Sequence, residues 1–242
     1  MSIVKAAIKK LISSAGYSLH KNSFIPENTD NMDAGLKRLK CFQIDPDIII
    51  DIGAAQGTWT RKALEIWPSA KYELIEPLEE QVIPLDKLKK QYSKVDFHLA
   101  VAGEKAGDVD FSVSPDLDGS GIYSGQTDNI RKVPVITLDS LVRDRKGAIL
   151  VKFDTHGYEV PILKGSLESL EKIIGFVIEV YGFRISPTCL LFHELTAYLD
   201  EIGFRLIDLV DIMRRPGDNA FWQADAFYLK KNNPAFDRNT YA

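Results

Sequence analysis

A doubly wound α/β domain on a mostly parallel sheet is the fold class this sequence predicts, and three observations predict it. From residue 47 onward, short apolar runs alternate with segments of helical periodicity, the mark of successive β–α–β units. The first run, Asp47-Ile48-Ile49-Ile50-Asp51-Ile52, is apolar at most positions, as a strand covered on both faces must be. A turn bearing Gly53 and Gly57 joins that run to the first helical segment, at the place where open sheets of this class hold their ligands.

The elements follow in order. Residues 1–19 set Lys5, Lys9 and Lys10 among Ile3, Val4, Ile8, Leu11 and Ile12, an amphipathic helix whose charges interrupt any signal-peptide core. It reads as a helix that packs on the domain or covers the substrate site; as a peripheral anchor it would hold a membrane only weakly. After the strand over 47–52, a helix over 58–67 stops before Pro68. A strand over 71–76 ends at Pro77, and helical periodicity covers 79–92, with Pro84 expected to kink or interrupt it. A third strand spans 96–101. The rhythm then changes: 108–113 and 133–136 read as short antiparallel strands around a Gly/Ser/Asp-rich loop over 114–125 that is placed to close over a ligand. The parallel pattern resumes with a strand over 147–154, a helix over 159–170, a strand over 173–180 and a helix over 190–202 ended by Gly203. Strands over 204–212 and 224–230 close the fold, joined by a loop holding Arg214, Arg215, Pro216, Gly217 and Trp222. Residues 1–43 thus read as an N-terminal helical extension, 44–232 as one catalytic domain and 233–242 as a tail.

Bulk composition narrows the function classes. The chain has 242 residues, 45% of them hydrophobic and 26% charged, as an ordinary globular protein does. A formal net charge of −4 argues against a general nucleic-acid binder. No run of about 18 apolar residues is present to span a membrane. The two cysteines, Cys41 and Cys189, are far apart and read as buried or half-buried thiols of a reducing, cytoplasmic compartment. Oligomeric state is not legible.

The turn Asp51-Ile52-Gly53-Ala54-Ala55-Gln56-Gly57-Thr58 carries the most chemistry. Gly53 permits a tight bend and close approach of a ligand, and Gly57 lets the helix start against the strand. Glu76, at the end of the second strand, stands where an acid accepts hydrogen bonds from both ribose hydroxyls of an adenosine. A dinucleotide fingerprint would need glycine at Ala55, and Asp51 would repel a pyrophosphate. S-adenosylmethionine carries no phosphate but an ammonium and a sulfonium, which a carboxylate attracts. The expected cofactor is therefore S-adenosylmethionine, held by Asp51, Gly53, Ala54, Gln56, Gly57 and Glu76.

A second constellation lies at the end of the strand over 147–154: Lys152, Asp154, His156 and Glu159, within Lys152-Phe153-Asp154-Thr155-His156-Gly157-Tyr158-Glu159 and followed by Leu163-Lys164-Gly165. Charged groups this dense at a strand's active end need partners. With Thr137-Leu138-Asp139 and the turn at 51–57, this block resembles the FkbM family of methyltransferases, which shows D-I-G-A-x-x-G, T-L-D and K-x-D-x-x-G-x-E-x-x-x-L-K-G in that order. The likeness covers roughly residues 47–181, and the position before Gly157, often Glu or Gln in the family, is His156 here. The resemblance implies a Rossmann-like class I methyltransferase fold with a seven-stranded sheet, and O-methylation of a hydroxyl on a sugar, glycan or secondary metabolite. A hydroxyl acceptor must lose a proton, so Asp154 and His156 are the candidate bases and Glu179 a candidate for orienting substrate. His156 can alternatively cap the following helix. No metal motif is read, two acids being too few. An NAD(P)-dependent oxidoreductase and a non-catalytic binding protein of the same fold are the competing readings.

Overall fold

The structure, a computed structural model, describes residues 30–117, 119–122, 129–238, 240 and 241. The amphipathic segment expected over 1–19 lies outside the described residues.

Helix α1 (Met32–Cys41) starts at Asn31, whose side chain accepts from the Ala34 amide at 3.0 Å, and buries Leu36 and Leu39. Strand β1 (Ile48–Ile52) is buried at every position, as its apolar run requires. Helix α2 (Thr58–Ile66) springs from Gly57 at φ 75°, where a Cβ would stand 2.5 Å from Leu88 Cδ2. Strand β2 (Lys71–Ile75) follows, then a 3₁₀ turn (Glu79–Gln81) leading into α3 (Val82–Gln91). Pro84 neither kinks nor interrupts this helix. It sits in the first turn of α3, where an amide has no intrahelical acceptor to lose.

The expected strand over 96–101 is two strands in two sheets. β3 (Val95–His98) ends where the Ala100 amide turns back to the His98 carbonyl at 3.0 Å, and β4 (Val101–Ala102) leaves the main sheet. β4 joins β5 (Gly107–Ser112), β6 (Gly121–Ile122) and β7 (Ile130–Ile136) in a separate sheet ordered β4-β7-β5-β6. The antiparallel β5/β7 pairing expected from the change in rhythm is present. The chain returns to the main sheet through α4 (Leu138–Val142) and β8 (Ile149–Phe153). The helix expected over 159–170 is shorter: α5 (Glu159–Lys164) stops where Gly165 presses on the Gly103 carbonyl, which a Cβ would approach to 2.1 Å. After β9 (Ile173–Tyr181) and α6 (Phe192–Glu201), the strands β10 (Phe204–Arg214) and β11 (Phe221–Lys230) run further than expected. The loop predicted between them shrinks to a turn closed by Arg215 and Ala220.

The main sheet is ordered β10-β11-β9-β8-β1-β2-β3, parallel except for the antiparallel pairs β10/β11 and β11/β9. This is the doubly wound, mostly parallel seven-stranded sheet expected. One face packs Ile50, Val151 and Phe176 with the buried sides of α4, α5 and α6; the other packs Ile49, Leu150 and Val177 with α1, α2 and α3. Burying apolar area on both faces, at about 25 cal/mol per Å², is the main force holding the layers together. The strand order reverses between β1 and β8, so a crevice opens at their carboxyl ends. Among the described residues, no helix is long and apolar enough to cross a membrane. Cys189 is buried, but Cys41 is exposed, on the outer face of the last turn of α1, against the expectation for it.

Candidate active site

A cavity of about 340 Å³ occupies that crevice. Gly53, Ala55 and Glu76 line it from the carboxyl ends of β1 and β2, and Leu78, Val101 and Phe111, from a small apolar cluster on the second sheet, line it opposite. Leu117, Ser120 and Ile122 bring the Gly/Ser-rich loop to the same cavity. Asp154, His156 and Glu179 mark its polar end.

The turn after β1 spends its amides inside the protein. Gly53 and Ala54 donate to the Ile75 carbonyl at 2.9 and 3.2 Å, and Gly57 donates to Ala54 at 2.7 Å. The Ala55 amide donates to Glu76 Oε2 at 2.8 Å, while the Leu78 amide donates to Oε1 at 2.9 Å. Each Glu76 oxygen thus keeps an acceptor site facing the cavity. Burial pushes the Glu76 carboxyl above the ordinary glutamate range, against the pull of those amides. Gly53 stands at φ 74°, and a Cβ there would reach 2.1 Å from the Asp154 carbonyl, so the close approach of the two strand ends requires glycine.

The expected cofactor set therefore divides. Gly53 and Glu76 line the cavity, joined by Ala55 and Leu78, which were not in the expected set. Ala54 is buried beside α2, Gln56 is exposed, and Gly57 packs under α3. Asp51 is fully buried beneath the floor: Thr60 Oγ1 donates to its Oδ2 at 2.6 Å, and Lys152 Nζ stands 3.6 Å from Oδ1, which has no hydrogen-bond partner. Burial raises its carboxyl above the ordinary aspartate range despite Lys152. Asp51 acts on the cavity through Lys152 rather than by contact.

At the polar end, Lys152 Nζ donates to Asp154 Oδ2 at 2.8 Å. Burial works to raise Asp154, but Lys152 overrides it and holds the carboxyl below its usual range. His156, at φ 50°, places Nε2 at 3.5 Å from Asp154 Oδ1 and 3.8 Å from Glu179 Oε2. Glu179 accepts from the Tyr181 hydroxyl and from the Gln223 amide. Burial, then the neighbouring Asp154, raises the Glu179 carboxyl. Across the β9/β11 ladder, Asp225 pairs in register with Glu179, and burial pushes it up to about 7. One donor atom from each of Asp154, His156 and Glu179 lies within 4.8 Å of the others, so all three predicted catalytic residues meet. Tyr181, Gln223 and Asp225 were missed. An aspartate inside the apolar run of β11 was the one available signal; the antiparallel partner that gives it meaning was not legible.

The Methyltransferase FkbM domain matches residues 51–206 of this sequence. The chain belongs to the FkbM methyltransferase family. No curated protein matches this FkbM chain in sequence. Among solved structures it is similar to a 1,6-didemethyltoxoflavin-N1-methyltransferase from Burkholderia thailandensis, at 14% identity, with a TM-score of 0.48 and 96% of this chain and 92% of that one covered. It is also similar to the N-methyltransferase NodS from Bradyrhizobium japonicum, at 10% identity and a TM-score of 0.47, covering 82% and 93%. A third likeness is to an rRNA methylase from Streptococcus thermophilus, at 11% identity and a TM-score of 0.43, covering 81% and 93%.

The three FkbM motifs do different work. Thr137 caps α4 by accepting from the Ser140 amide at 3.0 Å, and Asp139 accepts from the Ser169 amide and hydroxyl at 2.8 and 2.6 Å, tying down the turns after α5. That motif is structural. In the third motif, Glu159, the first residue of α5, ties down the turn before the helix by accepting from the Gly157 amide at 2.9 Å and the Thr155 hydroxyl at 3.0 Å. His156 does not cap α5, whose N-cap position is Tyr158, and its imidazole faces the cavity. Elsewhere, Trp59 is a core residue donating to Met32 Sδ at 3.2 Å, and His98 pairs with Glu73 at 2.7 Å. Arg215 stacks on Phe183, 4.2 Å from the ring centroid, and pairs with Asp218.

Proposed function

We propose that this FkbM-family methyltransferase moves a methyl group from S-adenosylmethionine to a hydroxyl of a sugar, glycan or secondary metabolite, with His156 taking the hydroxyl's proton. The observation that carries the cofactor reading is the internal use of the amides of Gly53, Ala54, Ala55 and Gly57. A pyrophosphate needs such amides free. A nucleoside without phosphate needs an acceptor for its ribose, and Glu76 has two acceptor sites left. Gly53 and Ala55 would carry the ribose with Glu76, and Leu78, Val101 and Phe111 would cover the base. The bound cofactor supplies a sulfonium methyl that is open to nucleophilic displacement.

The chain's own residues then have three tasks. The cavity walls hold the acceptor oxygen in line and keep water out, and such positioning accounts for much of a displacement's acceleration. His156 accepts the proton as the oxygen attacks, and the carboxylates of Asp154 and Glu179, 3.5 and 3.8 Å away, stabilise the imidazolium that forms. Lys152, Tyr181 and Gln223 hold those two carboxylates in place. A net charge of −4 favours a neutral or cationic acceptor over a nucleic acid.

Calorimetry with S-adenosylhomocysteine beside NADH tests the cofactor. Binding of the first alone is expected; NADH binding without it would leave the oxidoreductase reading in its place. For the base, His156→Ala should lower turnover by about 10²- to 10⁴-fold, with S-adenosylhomocysteine binding and melting temperature unchanged. A loss of melting temperature that accounts for the loss of turnover would return His156 to a structural role.

A further inference from the structure

We propose that Asp154, His156 and Glu179 form a binding site for one divalent first-row transition ion, with open coordination positions facing the cavity. One imidazole nitrogen and two carboxylates are a donor set for Mn²⁺, Fe²⁺, Co²⁺ or Zn²⁺ more than for Ca²⁺, which takes oxygen alone. Metal–ligand bonds of about 2.0–2.2 Å bring neighbouring donors to about 3 Å apart. His156 Nε2 already stands 3.5 Å from Asp154 Oδ1 and 3.8 Å from Glu179 Oε2, so small rotations of the three side chains close the shell.

The surroundings are those of ligands rather than of a salt bridge between the three. Lys152 occupies Asp154 Oδ2 at 2.8 Å and leaves Oδ1 to the cavity. Gln223 occupies Glu179 Oε1; Tyr181 takes one acceptor position of Oε2 and leaves another. Each carboxylate is thus oriented from behind with one oxygen still able to accept, the outer-shell support that ligating groups show. Three rigid places in the fold supply the donors: the end of β8, the turn before α5, and β9. His156 holds φ 50°, a left-handed conformation uncommon outside glycine, and the turn that imposes it faces the imidazole to the carboxylates.

An ion there deepens the methyl-transfer reading and, in its catalytic role, rests on it. The acceptor hydroxyl would take an open position and, on entering it, give up its proton to solvent more readily through coordination, with His156 then serving as ligand; in the ion-free protein His156 itself takes the proton. A second, adjacent hydroxyl on the acceptor could fill another open position, which selects vicinal diols such as sugars. Binding of the ion itself requires neither cofactor nor acceptor.

The test uses the full chain, stripped with a chelator and dialysed, without cofactor. Titration with Mn²⁺ by calorimetry should show one ion per chain, displaced by Zn²⁺. The electron spin-echo spectrum of the bound Mn²⁺ should carry modulation from an imidazole nitrogen. Glu179→Gln and His156→Ala should each weaken Mn²⁺ at least about tenfold, and Gln223→Ala about tenfold through loss of orientation, with unfolding of every variant recorded alongside. The absence of saturable Mn²⁺ and Zn²⁺ binding by the folded wild-type chain, or a spectrum without nitrogen, overturns the site without recourse to any variant. S-adenosylhomocysteine is titrated into the same sample: its binding without Mn²⁺ overturns the ion alone, and Mn²⁺ binding without it supports the ion site while removing the methyl-transfer reading.

Discussion

Replacing Glu76 by Gln probes the pocket's floor with almost no change in volume. In the wild type each carboxylate oxygen accepts one backbone amide, Ala55 at 2.8 Å and Leu78 at 2.9 Å, and offers its second acceptor site to the ribose. Glutamine keeps one oxygen. Its NH₂ group must face a backbone N–H at hydrogen-bond distance, donor against donor, or swing away from it. Either way one charge-assisted ribose contact is lost, at about 1.5–3 kcal/mol, so affinity for S-adenosylhomocysteine should fall roughly 10- to 150-fold. Calorimetry across pH adds a second signature. Burial holds the Glu76 carboxyl above the ordinary glutamate range, and ribose binding needs the charged form. Wild-type affinity should therefore weaken on acidification before an ordinary glutamate would titrate, while Glu76→Gln stays flat through the same interval. Urea unfolding monitors the one amide that loses its acceptor. Equal affinity in the two proteins would mean that no ribose meets Glu76, and the assignment of the cavity would go with it.

Other outcomes follow from the charges around the site and beneath the sheet. Burial pushes the Asp225 carboxyl up to about 7 in the fold against 3.8 ordinarily, so the folded chain binds the extra proton and stability falls as pH rises between those values; at neutral pH and above the penalty reaches about 4 kcal/mol. Asp225→Asn should be as stable as wild type near pH 4 and more stable by about 2–4 kcal/mol at pH 8, read from urea midpoints; a constant gap across pH would discount the burial of a charge there. Glu73 shows the opposite sign: burial works to raise it, but hydrogen bonds from His98 and Arg145 hold its carboxyl below the usual range. Its contribution is present at neutral pH and lost as pH falls below the ordinary glutamate range. Glu73→Gln should cost about 1–3 kcal/mol at pH 7 and nothing in strong acid, with S-adenosylhomocysteine affinity untouched, since Glu73 lies outside the cavity lining.

Much of this protein is decided by local rules that one chain exhibits without its fold. An apolar run such as Ile48–Ile52 has to be buried on both faces, and a strand of that kind followed by a glycine turn and a helix is already half of a β–α–β unit. Gly53 and Glu76 were legible for the same reason, since strand ends and the acids after them form the floor in any fold of this class. Asp154, His156 and Glu179 were legible as charged groups at strand ends. What tertiary structure alone decided is which way each points and what stands behind it. Asp51 looked like a cofactor contact in sequence, yet its strand position turns it under the floor to Thr60 and Lys152. Pro84 looked like a helix breaker, and only the 3₁₀ turn before it places the ring in a first turn where it does no harm. Asp225 and Gln223 reach Glu179 across an antiparallel ladder, and register between strands is set by turns and packing distant in sequence. Periodicity reports the face a side chain occupies; partners across strands are settled only when the layers close.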